Sequence, residues 1–398
     1  MPDRIVQAPW LQHLLEAIYQ GQWQLLQWLH RLGLVGTHDG QAAWPWGRRL
    51  SGENLLIDLG QARALLISLG ALLFVVLLLL AAWRWRRLRW PAGITALLTL
   101  WATPWPAAHV LLVPAQASSF HQPTVPWSDQ AIQAGAEHYA QHCVQCHGVR
   151  GDGHGPLAAQ QRVWPPNFAG PLLWQRGDGD LFAHVRHGMH DRQGQPTMPG
   201  FAQQLSVVET WQLLHYLRAL AAGQVLRATG EWAQAVALPD MQLRCSASNK
   251  TSVRDWQGQH LRWVVGAVQE VLPDPRVVTI WLPADGHNAP QQLPPAVDCL
   301  VSSQTAAHQA LSILLGQERT FDAPALGHVQ LLADRHGWLR ARNGAGGSAW
   351  SEDDLICRTQ PSAALEGASA ALAEDGLGRL LRLMDATPVR FVKGGRLH

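Results

Sequence analysis

His142-Cys143-Val144-Gln145-Cys146-His147 is the stretch from which the rest of this 398-residue chain can be read. Two thiols on either side of a two-residue gap, followed at once by an imidazole, form the Cys-x-x-Cys-His pattern of c-type haem attachment. The spacing lets Cys143 and Cys146 bond the two vinyl groups of one haem while His147 reaches the iron. Two other readings of a bare Cys-x-x-Cys are weaker. A zinc site needs a second pair of ligands at short spacing, and the remaining cysteines, Cys245, Cys299 and Cys357, are scattered. A redox dithiol of the thioredoxin kind sits between a strand and a helix, whereas the segment before Cys143 has helical periodicity. With no second Cys-x-x-Cys-His, one covalent haem c is expected.

The iron then needs a second axial ligand, for which thioether is the common cytochrome c choice. Met198 stands in Pro196-Thr197-Met198-Pro199-Gly200-Phe201, a loop suited to projecting a thioether. Met189, His184, His187 and His190 compete with it, but Met198 is the expected ligand, and the plain reading of Met189 is a packing residue beneath the ring. Gly151-Asp152-Gly153-His154-Gly155-Pro156-Leu157 has the look of a phosphate loop, but no strand precedes it. It reads better as a close wrap behind the haem histidine. The Pro156 carbonyl is expected to accept the proton on the far nitrogen of His147, orienting the ring.

Helices flank the motif. Ser128-Asp129 caps one running to about His142, with Ile132, Ala136 and Tyr139 on one face. Ser206-Val207-Val208-Glu209 is a capping box opening another, to about Leu220. The spacing predicts a crossing of the two at Gly135 and Tyr139 against Tyr216. These residues shape a pocket and do no chemistry.

Farther out, composition points to a membrane. Charged residues are only 15% of the chain and tryptophan is abundant at 20, as aromatic belts at lipid boundaries would require. The formal charge of +2 leaves no nucleic-acid footprint. Residues 65–83 are almost unbroken apolar sequence, about 28 Å as helix, close to a hydrocarbon core. A second run, 94–113, is interrupted by Pro104 and Pro106 and is read as a kinked second span, with His109 near its end. Arg84, Arg86, Arg87 and Arg89 lie between the spans, so the positive-inside rule puts that turn in the cytoplasm. Arg48, Arg49 and Arg63 weaken the count, but bacteria attach c-type haem outside the cytoplasmic membrane. The motif and all that follows are therefore expected in the periplasm. Residues 1–64 carry two short amphipathic stripes, around Trp10 and around Leu25, read as interfacial helices or as an ordinary helical hairpin.

Beyond about Pro239 the pattern turns to strands: 261–268, 277–282 and 297–301. A helix follows from Thr305 to Gly316. A hairpin then turns at Asp334-Arg335-His336-Gly337, and a closing helix covers 363–384. The order suggests an α/β domain of thioredoxin-like type. Gln269-Glu270-Val271-Leu272-Pro273 stands where such a domain carries its dithiol, and it holds no cysteine. Cys245, Cys299 and Cys357 permit one disulfide in an oxidising compartment, its pairing open. The terminal Arg396-Leu397-His398 reads as a solvated tail.

The join resembles the C-terminal half of bacterial copper-resistance D family proteins fused to a class I cytochrome c. The likeness runs through Ala117-Ser118-Ser119-Phe120, Val125-Pro126-Trp127 and Ile132-x-x-Gly135-x-x-x-Tyr139 into the motif. It continues in Gly151-x-Gly153-x-Gly155-Pro156, in Met198-Pro199-x-Phe201, and from Trp211 to Tyr216-Leu217-Arg218. Asp334 to Ala341 resembles a thioredoxin-like hairpin. The family's membrane domain has several more helices than this chain.

The expected fold is thus multidomain. An interfacial region (1–64) leads to a transmembrane helical hairpin (65–114). An all-α cytochrome c domain (115–225) and an α/β domain without the dithiol (239–398) complete it. The expected activity is single-electron transfer rather than catalysis, within a hetero-oligomeric complex of redox partners in the bacterial inner membrane. Haem-assisted copper handling and haem-based ligand sensing are the alternatives.

Overall fold

The computed structural model describes residues 9–51, 59–85, 87, 89–107, 111–170, 173, 176–191, 193–232, 235–268, 271–284, 290–317, 329–343, 350–357 and 375–389. Arg86, His109, Gln269-Glu270, the first part of the expected closing helix (363–374) and the Arg396-Leu397-His398 tail lie outside them. The chain divides into two compact units. One is residues 1–120 with 175–180 and 392–395; the other is 121–174 with 181–391 and 396–398.

In the first unit, α1 (Pro9–Arg31) is one helix where two were expected. Gly21 separates the apolar stripes, but a single helical glycine costs only about 1 kcal/mol and does not break the run. The helix gives way at Gly33, which has φ +71°. Leu26 of α1 packs with Ala42, Trp44 and Phe120 in a small core. Two short ladders frame it: β1 (Thr37–His38) with β2 (Gln41–Ala42), and β3 (Arg48–Leu50) with β4 (Leu112–Pro114). Between β3 and β4 the chain makes a helical hairpin, α2 (Leu59–Arg84) and α3 (Arg89–Ala102), packed along each other.

Among the described residues α2 alone, over Arg63–Arg84, is long and apolar enough to cross a membrane. The expected second span, 94–113, is not realised as a continuous helix. α3 stops after 14 residues, because Pro104 and Pro106 lack the N–H groups and the freedom before them that a further turn needs. The chain nonetheless returns to the start of α2, where the Ala107 N–H donates to Gln61 Oε1 at 3.1 Å.

The second unit is built around α4 (Asp129–His142), α7 (Val207–Thr229) and a seven-stranded sheet. Between the two helices lie the one-turn α5 (Val144–His147), α6 (Asp178–His187) and the ladder of β5 (Met189–His190) with β6 (Pro196–Met198). Ser128 caps α4 by accepting from Ala131 N–H, and Ser206 and Glu209 complete the capping box of α7. The predicted crossing is there. A Cβ on Gly135 would strike the backbone of Gln212 and the Tyr216 side chain, and the Tyr139 and Tyr216 rings meet at a tilt with centroids 5.1 Å apart. α7 outlasts its expected end at Leu220 by more than two turns, stopping at Gly230 in the left-handed region.

The sheet runs β7-β13-β12-β9-β10-β11-β8. Its strands are β7 (Val236–Ala237), β8 (Leu243–Cys245), β9 (Leu261–Val265), β10 (Val278–Leu282), β11 (Cys299–Val301), β12 (Val329–Ala333) and β13 (Trp338–Asn343). β9, β10 and β11 are parallel; β12 joins β9, and β8 joins β11, antiparallel. Side chains alternate across a sheet. Leu261, Trp263, Val265, Ile280, Leu282, Cys299 and Val301 therefore share one face, and they join the same core as Tyr139, Trp211 and Tyr216. α8 (Gln304–Leu314) completes that layer, while α9 (Gly376–Ala386) covers Leu332 and Ala341 on the opposite face. Among the three open cysteines, register selects Cys245 and Cys299, which stand opposite each other and are disulfide-bonded; Cys357 is buried and outside that bridge.

Candidate haem site

Cys143 ends α4 and begins α5, so Cys143, Cys146 and His147 occupy one tight turn. The N–H groups of Cys146 and His147 both donate to the Cys143 carbonyl, at 3.2 and 2.9 Å. The glycine loop is laid back over this turn. Gly153 N–H donates to His147 O at 2.9 Å, Gly155 N–H to Cys146 O at 3.2 Å, and Leu157 N–H to Gln145 O at 2.8 Å. Only glycine fits at 155, since a Cβ would run into the backbone of Gln145 and Cys146. Pro156 is thereby held beside the motif between two anchored residues, but the backbone group that meets His147 is that of Pro166, not the expected Pro156 carbonyl. The buried Tyr139 hydroxyl, its ionisation suppressed mainly by burial, donates to Gly148 O at 2.6 Å.

Both motif cysteines are free thiols. Burial, and then the neighbouring Cys146, pushes the Cys143 thiol up to about 12. A catalytic dithiol or a thiolate zinc ligand calls for the opposite shift. Burial lowers the His147 pKa, against the pull of a hydrogen bond with the Pro166 backbone, which keeps the ring neutral, the form in which imidazole binds a metal. Its Nδ1 is buried with no hydrogen-bond partner among the described residues, an expensive state for a polar atom unless something else meets it. The ring stacks on Phe168, centroids 4.7 Å apart. The neutral Cys143 thiol, Cys146 beside it and an under-satisfied imidazole on one turn fit covalent haem c.

Met198 lies at the end of β6 rather than in a free loop, directly opposite Met189 in β5. Cross-strand partners point to the same side of a ladder, so both candidate thioethers stand together and both are half-buried. The ladder is pressed onto the end of α6: a Cβ on Gly188 would collide with the Met198 carbonyl, and one on Gly200 with the backbone of Arg186 and His187. His184 and His187 belong to α6 and His190 to β5. The sequence reading overlooked Phe168 and Pro166, whose one local signal is the stiff Pro165-Pro166 pair ahead of Phe168.

The family described as Cytochrome C oxidase, cbb3-type, subunit III matches residues 130–217. No curated protein matches the chain. Among solved structures, the Kuenenia stuttgartiensis reducing HAO-like protein complex is 30% identical over 27% of this chain, with a TM-score of 0.23. The match spans half of that structure's chain. A protein described as thioredoxin-like superfamily is 17% identical over 35% of this chain and all of its own, with a TM-score of 0.16. Both likenesses are too slight to bear on the fold or the chemistry. The family match and the geometry of the turn agree: residues 130–217 are a cytochrome c domain, a kind that implies haem c and suggests electron transfer.

Proposed function

We propose that the chain is a membrane-anchored, periplasm-facing monohaem c-type cytochrome passing single electrons within a larger membrane redox complex of the bacterial inner membrane. The observation that carries this reading is the clasped turn of Cys143, Cys146 and His147 inside the cytochrome c domain. Cys143 and Cys146 would tether the haem covalently and His147 and Met198 would hold its iron, with the Pro156 carbonyl proposed to orient His147. Haem bound there supplies an Fe(III)/Fe(II) couple, which is what a one-electron carrier needs. Tyr139, Gly155 and Phe168 hold the turn and shield it from water.

The anchor is α2 with α3. Trp83, Trp85 and Trp90 are exposed about the arginine-bearing turn, and Trp101 and Trp105 at the other end of α3. Two aromatic girdles with the cationic turn on one side match a hairpin set across a bilayer, turn inward. The disulfide between Cys245 and Cys299 agrees with an oxidising compartment. The C-terminal α/β part, thioredoxin-like but lacking the dithiol, serves as a docking module for redox partners.

Expression in a host that matures c-type cytochromes tests the reading. The full chain is expected to gain the mass of one haem and a Soret band, both lost in Cys143→Ala/Cys146→Ala. Met198→Ala is expected to leave the haem attached but open the iron to carbon monoxide, whereas Met189→Ala is not. An unmodified polypeptide mass would sink the proposal. Ready carbon monoxide binding by the unaltered protein would favour ligand sensing, and copper that co-purifies stoichiometrically would favour copper handling.

A further inference from the structure

Near the haem turn, α4 carries a second set of donor groups that the cytochrome reading leaves unused. His138 and His142 are one helical turn apart, the spacing at which side chains share a face. Both are half-buried. Among the described residues neither imidazole makes a hydrogen bond; the His142 ring lies near the Phe201 ring, at 5.9 Å between centroids. Because α7 crosses α4 closely at Gly135, the first turn of α7, with Glu209, runs beside this end of α4. Glu209 is held there by the Ser206 N–H, at 2.7 Å. Its carboxyl lies below its usual range, chiefly through the backbone and then the hydroxyl of Ser206, with His138 and His142 adding to the effect.

We propose that His138 and His142 together bind one divalent transition-metal ion on the cytochrome surface, with the Glu209 carboxylate supplying opposing charge. Two histidines at this helical spacing are a recurrent chelating pair. Imidazole donors select copper, nickel or zinc over magnesium or calcium, with Cu(II) bound most strongly. The pair lies on a helix, at a crossing fixed by Gly135, so little ordering is left to binding. Phe201, three residues beyond Met198, links the site to the proposed ligand loop.

The test titrates haem-loaded, full-length protein with Cu(II), following calorimetry and the copper electron paramagnetic resonance spectrum. The tightest site is expected to show two imidazole nitrogens. His138→Ala and His142→Ala are each expected to weaken it by about tenfold or more, and Glu209→Gln by less. Haem content and the Soret band of each variant report whether the domain has folded. Should His142→Ala, next to Cys143, fail to mature, His138→Ala decides alone. A tightest site unchanged by His138→Ala would overturn the proposal, whatever the haem does.

Discussion

α2 and α7 are helices of similar length, and both are apolar on most of their circumference, yet they use that character in opposite ways. Leu77 of α2 is 55% exposed and Trp101 on the adjoining α3 is 87% exposed. On α7, Leu213 is 1% exposed, and residues all round the helix are buried from Thr210 to Leu226. α7 is enclosed because α4, α8 and the sheet approach it from different sides. Among the described residues α2 packs chiefly along α3, and most of its large apolar side chains are exposed. An all-round apolar helix must be covered, but its sequence does not say by what. Protein covers one of these helices; lipid is the proposed cover of the other.

The strongest way to break that contrast is to loosen the unit that relies on its own core. Cys245→Ala/Cys299→Ala removes a cross-link spanning 54 residues, a loss of about 4 kcal/mol on chain-entropy grounds. Thermal unfolding of the second unit is the measurement, and an unchanged midpoint would show the bond adds nothing. One substitution made in both helices sharpens the comparison further. Leu213→Ala should destabilise the second unit by about 3 kcal/mol through the cavity it leaves, while Leu77→Ala should leave denaturant unfolding of that unit unmoved. If both lower the same transition equally, α2 is a core helix after all. Leu77→Arg asks what covers α2. A charge at mid-span is expected to weaken insertion by about 3 kcal/mol, seen as protein released from membranes by alkaline carbonate.

The smallest effect concerns acid. Arg276 binds Asp375 and Asp274, and Asp375 caps α9. The Arg276 side chain, and then the Gly378 N–H, hold the Asp375 carboxyl at about 2, below its model-compound value of 3.8. Because the folded-state value is the lower one, this stabilisation is complete above about pH 3.8 and lost as pH falls towards 2. The pair is exposed, so the loss is slight. Asp375→Asn should flatten the acid limb of α9 unfolding without altering stability near neutrality by much.

Much of the site was legible locally. The Cys143–His147 turn, the Ser128 cap and the Ser206–Glu209 box are all signals contained within a few residues, and each is a local hydrogen-bonded structure. The β-rich pattern after 260 was also legible, since strand alternation shows over four or five positions. Other features depended on distant partners. Ala219 to Gly223 looks like the tail of a helix, yet α7 continues because Gly223 lies against the Ile313 carbonyl and Gly316. Nothing near 223 announces a partner ninety positions on. Met189 and Met198 were weighed as rivals along the chain, and the ladder places them side by side.

By itself, then, the sequence determined what short-range chemistry dictates: the Cys-x-x-Cys-His turn, the caps, the apolar run of α2 and the proline stop of α3. Tertiary structure alone decided which cysteines pair, how far α7 runs, and that the cytochrome helices and the C-terminal sheet share one core. The division follows from range. Caps and turns are settled by hydrogen bonds within a turn or two, whereas strand register and helix docking are settled by surfaces that meet only once the whole chain has collapsed.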